Sequence, residues 1–159
     1  METVIRRWIE LINTKSVNGR EIDAANYVAD VLRGFGLEPH YSWFEDDVER
    51  VRPSVWTVFD TGRPGPTMLL IGHIDTVDVT EENWRTPPFT ATEVEGRIYG
   101  RGAMDMKGGI SCILSTLEHF TQNPDAICGK ILACFVSDEE GLSKGTYQLA
   151  AEDVVHADY

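Results

Sequence analysis

No stretch of this 159-residue chain is apolar for long enough to span a bilayer, which excludes a membrane-spanning helix. The opening segment METVIRRWIELI is broken by Glu2, Arg6, Arg7 and Glu10, so it does not read as a secretory signal. Basic residues are scarce: 14 Lys and Arg stand against 26 Asp and Glu, a net charge of -12. That excess repels a phosphate backbone, and nucleic acid is excluded as a partner. Cysteine is scarce too. Cys112, Cys128 and Cys134 are odd in number and lack the short paired spacing of a zinc knuckle or a redox motif, so they read as reduced, mostly buried thiols. These absences together point to the cytoplasm, with no membrane partner. Internal repeats and low-complexity tracts are also missing.

What is present is the composition of an ordinary globular domain. Hydrophobic residues at 42% and charged residues at 25% suffice for one core. Val4, Ile5, Trp8, Ile9 and Ile12 fall at helical spacing. A second helix is predicted from about Glu21 to Arg33, where Asn18 and Glu21 resemble a capping box and Gly34 and Gly36 supply the stop. Short strands are predicted over Leu37–Trp43 and Ser54–Phe59, joined by an acidic turn at Glu45, Asp46 and Asp47. Thr67–Gly72 and Lys130–Val136 have the continuous apolar pattern of strands buried on both faces. A surface hairpin at Thr90–Tyr99 and helices at Gly108–Phe120 and Ser143–Ala151 complete the pattern, and Val154–Tyr159 reads as the approach to a further strand. Alternating helices and apolar strands give an α/β fold, a three-layer αβα sandwich around a mainly parallel, mixed sheet.

Three polar clusters stand out. His73-Ile74-Asp75 follows the apolar run TMLLIG. Residues two apart in extended chain point to one side, so His73 is a candidate metal ligand and Asp75 a carboxylate that orients its ring; a solvated strand-end His is the plain alternative. Asp105 lies in the glycine-rich segment GRGAMDMKGG before a helix. It reads either as a helix-capping residue or as a carboxylate held to bridge cations. A phosphate loop is excluded there, since GxxxxGK[ST] is absent and Asp105 would repel a phosphate. Ser137-Asp138-Glu139-Glu140-Gly141 follows KILACFV, at the strand end where α/β folds place ligands. Such adjacent carboxylates need either water or cations to relieve their repulsion. A covalent nucleophile finds no support, because no GxSxG elbow occurs and the cysteines sit in apolar segments.

Taken in order, GHIDTV, WRTPPF, GRGAMDMKGG and SDEEG resemble the dinuclear zinc hydrolases that include acetylornithine deacetylase, succinyl-diaminopimelate desuccinylase, aminoacylase and a glutamate carboxypeptidase. The resemblance runs over nearly the whole chain. It implies His73, Asp105 and Glu140 as metal ligands, with Asp105 bridging a pair of divalent cations, zinc with cobalt or manganese as alternatives. Asp75 would orient His73, Glu139 would act as general base, and the Asp105–Met106 peptide would be cis. The implied reaction cleaves the amide bond of small N-acyl amino acids or short peptides by attack of a metal-bridging water.

The resemblance further implies that residues 1–159 are the N-terminal portion of the catalytic domain. The lid and dimerisation domain, a further carboxylate and a distant His ligand would then be absent. The full-length protein would be a homodimer, and this piece alone inactive. A non-catalytic fragment or degenerate homologue, packing against a partner, is the other function class. His40, His119 and His156 match no ligand position and read as surface or packing residues.

Overall fold

The computed structural model describes residues 2–159. Two helices open the chain, α1 over Glu2–Asn13 and α2 over Ile22–Gly34. Leu11 and Ile12 of α1 are buried, whereas Ile5 of the predicted stripe is 40% exposed. The face that α2 buries is small, Ala24, Ala25, Val28, Ala29 and Leu32, which lets it approach the sheet closely. Its start differs from the predicted capping box. Glu21 is helical in backbone and makes no side-chain cap; its carboxylate turns inward to the Gly19 N–H at 2.6 Å and to Arg52. A buried guanidinium is a stronger partner for that carboxylate than an exposed helix N–H.

Strands β1 (His40–Glu45) and β2 (Val51–Asp60) form an antiparallel pair around the acidic turn. There the Asp46 carboxylate accepts from the Val48 and Arg50 N–H groups. Strand β3 covers Thr67–His73, and β4 (Thr92–Val94) with β5 (Arg97–Tyr99) makes the expected hairpin. Helix α3 (Gly108–Gln122), strand β6 (Lys130–Val136) and helix α4 (Lys144–Ala151) follow. The main sheet is mixed as expected, in the order β1-β2-β6-β3, but its parallel share is smaller than expected: β1·β2 and β2·β6 are antiparallel and β3·β6 is parallel.

Alternation along β6 builds the two halves of the core. Ile131, Ala133 and Phe135 face α2 and α3, whereas Leu132, Cys134 and Val136 face Leu149 of α4. The result is the three-layer αβα sandwich. Each large side chain fully removed from water here contributes roughly 1.5–3 kcal/mol.

Two further expectations are corrected. Burial on both faces holds for β6 but not for β3, where Met68 and Ile71 remain 48% and 40% exposed. Lying last in the strand order, β3 has a full neighbour on one side alone. Its other side is met at the start, where Asp158 donates to the Thr67 carbonyl at 2.9 Å and Leu69 to the Tyr159 carbonyl at 2.8 Å. Nor are the thiols mostly buried: Cys134 is, but Cys112 lies on the outer face of α3 and Cys128 in a loop, both exposed.

Candidate metal centre

The parallel pairing sets His73 opposite Val136, so the segments after β3 and β6 leave the sheet side by side. The Ile74 N–H extends that ladder to the Val136 carbonyl at 2.8 Å. Residues 16–18 join from the other side. Thr76 donates to the Ser16 carbonyl and Asn18 to the Thr76 carbonyl, each at 2.9 Å, while Ser16 Oγ donates to the Ile74 carbonyl at 2.7 Å.

His73 is buried, with Nδ1 3.0 Å from the Asp75 carbonyl oxygen and 3.7 Å from the Asp75 carboxylate. A carbonyl can only accept, so Nδ1 donates, and Nε2 is the ring nitrogen turned toward Asp105. Nε2 lies 2.9 Å from Asp105 Oδ1. Burial alone would lower the imidazole's pKa, but hydrogen bonds to Asp75 and Asp105 outweigh it and raise it to about 9. The ring is therefore oriented chiefly by the main chain of Asp75. The Asp75 carboxylate accepts from the Glu139 and Glu140 N–H groups, at 3.2 and 3.1 Å, and from Asn18 Nδ2 at 3.0 Å.

Asp105 arrives on a loop fixed through its backbone. Trp8 Nε1 donates to the Ala103 carbonyl at 2.7 Å, and the Lys107 N–H to the Gly102 carbonyl at 2.9 Å. The Lys107 side chain is buried and its Nζ reaches the Thr14 carbonyl at 2.7 Å; burial pushes its ammonium down to about 8. Gly102 has φ +76°, and a Cβ there would stand 2.5 Å from Thr76 Cγ2. The Asp105–Met106 peptide is cis. The Asp105 side chain is left 75% exposed beside His73.

The third cluster turns sharply at Asp138, whose φ is +70°. Asp138 is buried while Glu139 and Glu140 are exposed. Asp138 Oδ2 accepts from the Leu142 and Lys144 N–H groups at 3.2 and 3.1 Å. Its Oδ1 accepts from Arg52 Nη1 at 2.6 Å and Asn18 Nδ2 at 3.2 Å. Burial would raise the Asp138 pKa, but these bonds hold it below the ordinary value. Ser143 Oγ donates to Glu139 Oε2 at 2.9 Å.

One ligating atom each from His73, Asp105 and Glu140 lie within 4.8 Å of one another. An imidazole nitrogen with two carboxylates is a donor set that suits divalent transition metals, and the residues present fit a cation. His40, stacked on Trp56, His119, beside Phe120, and His156, paired with Asp153, do not enter the cluster. The sequence marks Asp138 within the third polar cluster but not its inward role, and it gives Asn18 and Arg52 no place in this site. A signal existed for Arg52, the one charged residue in the strand segment VRPSVW.

An αβα sandwich with a His-carboxylate cluster at the ends of its parallel strands has the form of a metal-site scaffold. The family described as Peptidase family M20/M25/M40 matches residues 69–159, more than half of the chain, and the chain belongs to that family. It is 36% identical over 143 residues to a succinyl-diaminopimelate desuccinylase of Rickettsia akari, covering 88% of this chain and 37% of that protein. A second desuccinylase, from Alteromonas mediterranea, is 35% identical over 133 residues, covering 83% and 33%. Among solved structures, human carnosine dipeptidase 1 superposes with a TM-score of 0.82 at 19% identity, over 96% of this chain and 35% of that one. The M20 metallo-carboxypeptidase Sso-CP2 of Sulfolobus solfataricus gives 0.81 at 23%, over 99% and 36%. The chain thus spans about a third of the length of its relatives. Among the described residues no helix is long and apolar enough to cross a membrane.

Proposed function

We propose that the protein to which this chain contributes is a metal-dependent hydrolase of amide bonds in small N-acyl amino acids or short peptides. The observation that carries the reading is the meeting of His73 Nε2 with the carboxylates of Asp105 and Glu140, from three separate segments. The relatives' names, a desuccinylase, a dipeptidase and a carboxypeptidase, are those of enzymes that cleave acyl-amino or peptide bonds.

His73, Asp105 and Glu140 would hold divalent cations, zinc by donor type, with Asp105 shared between two of them. Such ions polarise a carbonyl and bring the pKa of bound water from about 15.7 to about 7. Asp75 holds His73 in the tautomer that leaves Nε2 free and, through its carboxylate, fixes the turn carrying Glu139 and Glu140. Glu140 would ligate, and Glu139, whose carboxylate is outside the cluster of ligating atoms, would act as general base. Glu139 then accepts a proton from the attacking water and returns it to the departing amine. Ser143 Oγ, bonded to Glu139 Oε2, steadies that carboxylate.

Three ligating side chains are too few for a pair of four-coordinate ions, so the activity belongs to the whole protein rather than to residues 1–159. The homodimer and the lid domain implied by the resemblance belong to the same proposal. Free thiols suit a cytoplasmic setting. The Glu139→Ala substitution in the whole protein tests the reading. Turnover is expected to fall by roughly 100-fold or more, with metal content near that of the wild type. Unchanged turnover would remove Glu139 from the mechanism, and a wild-type protein without turnover would leave the non-catalytic, partner-packing alternative standing.

A further inference from the structure

The pair of residues that resembles a helix cap does other work. Asn18 and Glu21 both belong to a polar chain that runs from the start of α2 to Asp75. Glu21 bonds to Arg52, Arg52 to Asp138, Asp138 to Asn18, and Asn18 to Asp75. The middle of this chain has an electrostatic problem. Asp75 and Asp138 are 0% and 4% exposed, and each carboxylate accepts several hydrogen bonds. Arg52 reaches Asp138 but is shared with Glu21. Between the two aspartates stands a single nitrogen, Asn18 Nδ2, 3.0 Å from Asp75 Oδ2 and 3.2 Å from Asp138 Oδ1.

We infer that Asn18 is a positioning residue, whose side-chain amide bridges Asp75 and Asp138 and thereby holds the turn that presents Glu139 and Glu140. Asp75 grips that turn from beneath by the N–H groups of Glu139 and Glu140; Asp138 grips it from its far side by those of Leu142 and Lys144. Two like charges set against one short turn would push it apart. The amide's two hydrogens, one toward each carboxylate, replace that repulsion with attraction on both sides. Asn18 is itself anchored by its backbone N–H on the Thr76 carbonyl, so its amide has a fixed origin.

A second observation agrees. A Cβ on Gly141 would fall 2.5 Å from Asp138 Oδ1 and 3.0 Å from Asn18 Nδ2. The glycine that closes the SDEEG motif leaves space for this bridge.

The functional consequence rests on the proposed roles of Glu139 and Glu140; the positioning rests on the hydrogen bonds alone. The test compares the whole protein with its Asn18→Ala variant by hydrogen exchange of peptides spanning 138–143, zinc affinity by chelator competition, kcat, and thermal midpoint. The expected result is faster exchange in that turn and a roughly 10–100-fold loss in zinc affinity and kcat, as removal of an outer partner of a metal site gives. Asn18→Ser, which keeps one donor, falls between the two proteins, and carries the comparison alone should Asn18→Ala not fold. A lowered thermal midpoint with unchanged local exchange and zinc affinity marks a merely structural residue and overturns the inference. A wild-type protein that binds no zinc sinks the hydrolase reading instead, while the exchange rates still decide the role of Asn18.

Discussion

Six carboxylates gather at this edge of the sheet, and they divide into a buried tier and an exposed tier. Glu21, Asp75 and Asp138 are at most 4% exposed, and each accepts several hydrogen bonds from guanidinium, amide or backbone N–H groups. Asp105, Glu139 and Glu140 are exposed, and the contacts of the first two are single ones, to His73 and Ser143. The difference follows from solvation. A buried charge without partners costs several kcal/mol, so the lower tier must be saturated by the protein itself. An exposed carboxylate is paired by water and keeps lone pairs for a cation. The lower tier is thus the mould, and the upper tier the working surface.

The largest expected effect comes from breaking the mould at its one buried cation. Arg52 is 2% exposed, lies over the Phe44 ring, and forks between Glu21 and Asp138. Replacing it by Met leaves both carboxylates buried without their cation, a loss of about 3–5 kcal/mol. Chemical denaturation measures this directly. Arg52→Lys retains the charge but lacks the fork, so it should recover part of the loss and not all. Full stability in Arg52→Met would dissolve the distinction between the tiers.

Legibility in the sequence follows a related division. His73, Asp75, Asp105, Glu139 and Glu140 stood out as candidates because they are polar residues in short motifs, beside apolar runs or among glycines. The layer order was readable as well, from the alternation of helices with TMLLIG and KILACFV. The joining of Glu21, Arg52, Asn18 and Asp138 to Asp75 was not, because these residues come from distant segments brought together by folding. Glu21 and Asn18 satisfied a local helix-start pattern, and a local pattern cannot reveal that Arg52, 31 positions from Glu21, outbids the helix N–H groups for that carboxylate. The half-exposed faces of β3 were hidden for a related reason: an apolar run records which residues can be buried, while strand order decides which are.

Within the upper tier, Asp105 is placed by its backbone, and Gly102→Ala separates that mode of placement from the side-chain network. Alanine at φ +76° costs roughly 1–3 kcal/mol, and its Cβ would press on Thr76 at 2.5 Å, displacing the loop that carries Asp105. Weaker zinc binding is expected together with a moderate fall in the denaturation midpoint. Exchange at residues 138–143 should stay near wild type, because that turn hangs from Asp75 and Asp138. Equal disturbance of both loops would show that the site moves as one unit.

The smallest effect leaves the fold untouched and reads the contrast between inside and outside through one residue type. Cys134 points from the centre of β6 toward Leu149, fully buried, and its burial pushes the thiol up to about 12. Cys112 and Cys128 are exposed. The thiolate is the species that attacks a disulfide reagent, so both the proton and the surrounding side chains protect Cys134. At pH 8 a thiol titration of the native chain should count Cys112 and Cys128 promptly and Cys134 only after denaturant is added. Peptide mapping of the modified protein identifies which residues reacted. Rapid labelling of Cys134 would mean that the layer between β6 and α4 opens readily, and the turn following β6 would then lack the rigid support that holds Glu139 and Glu140 in place.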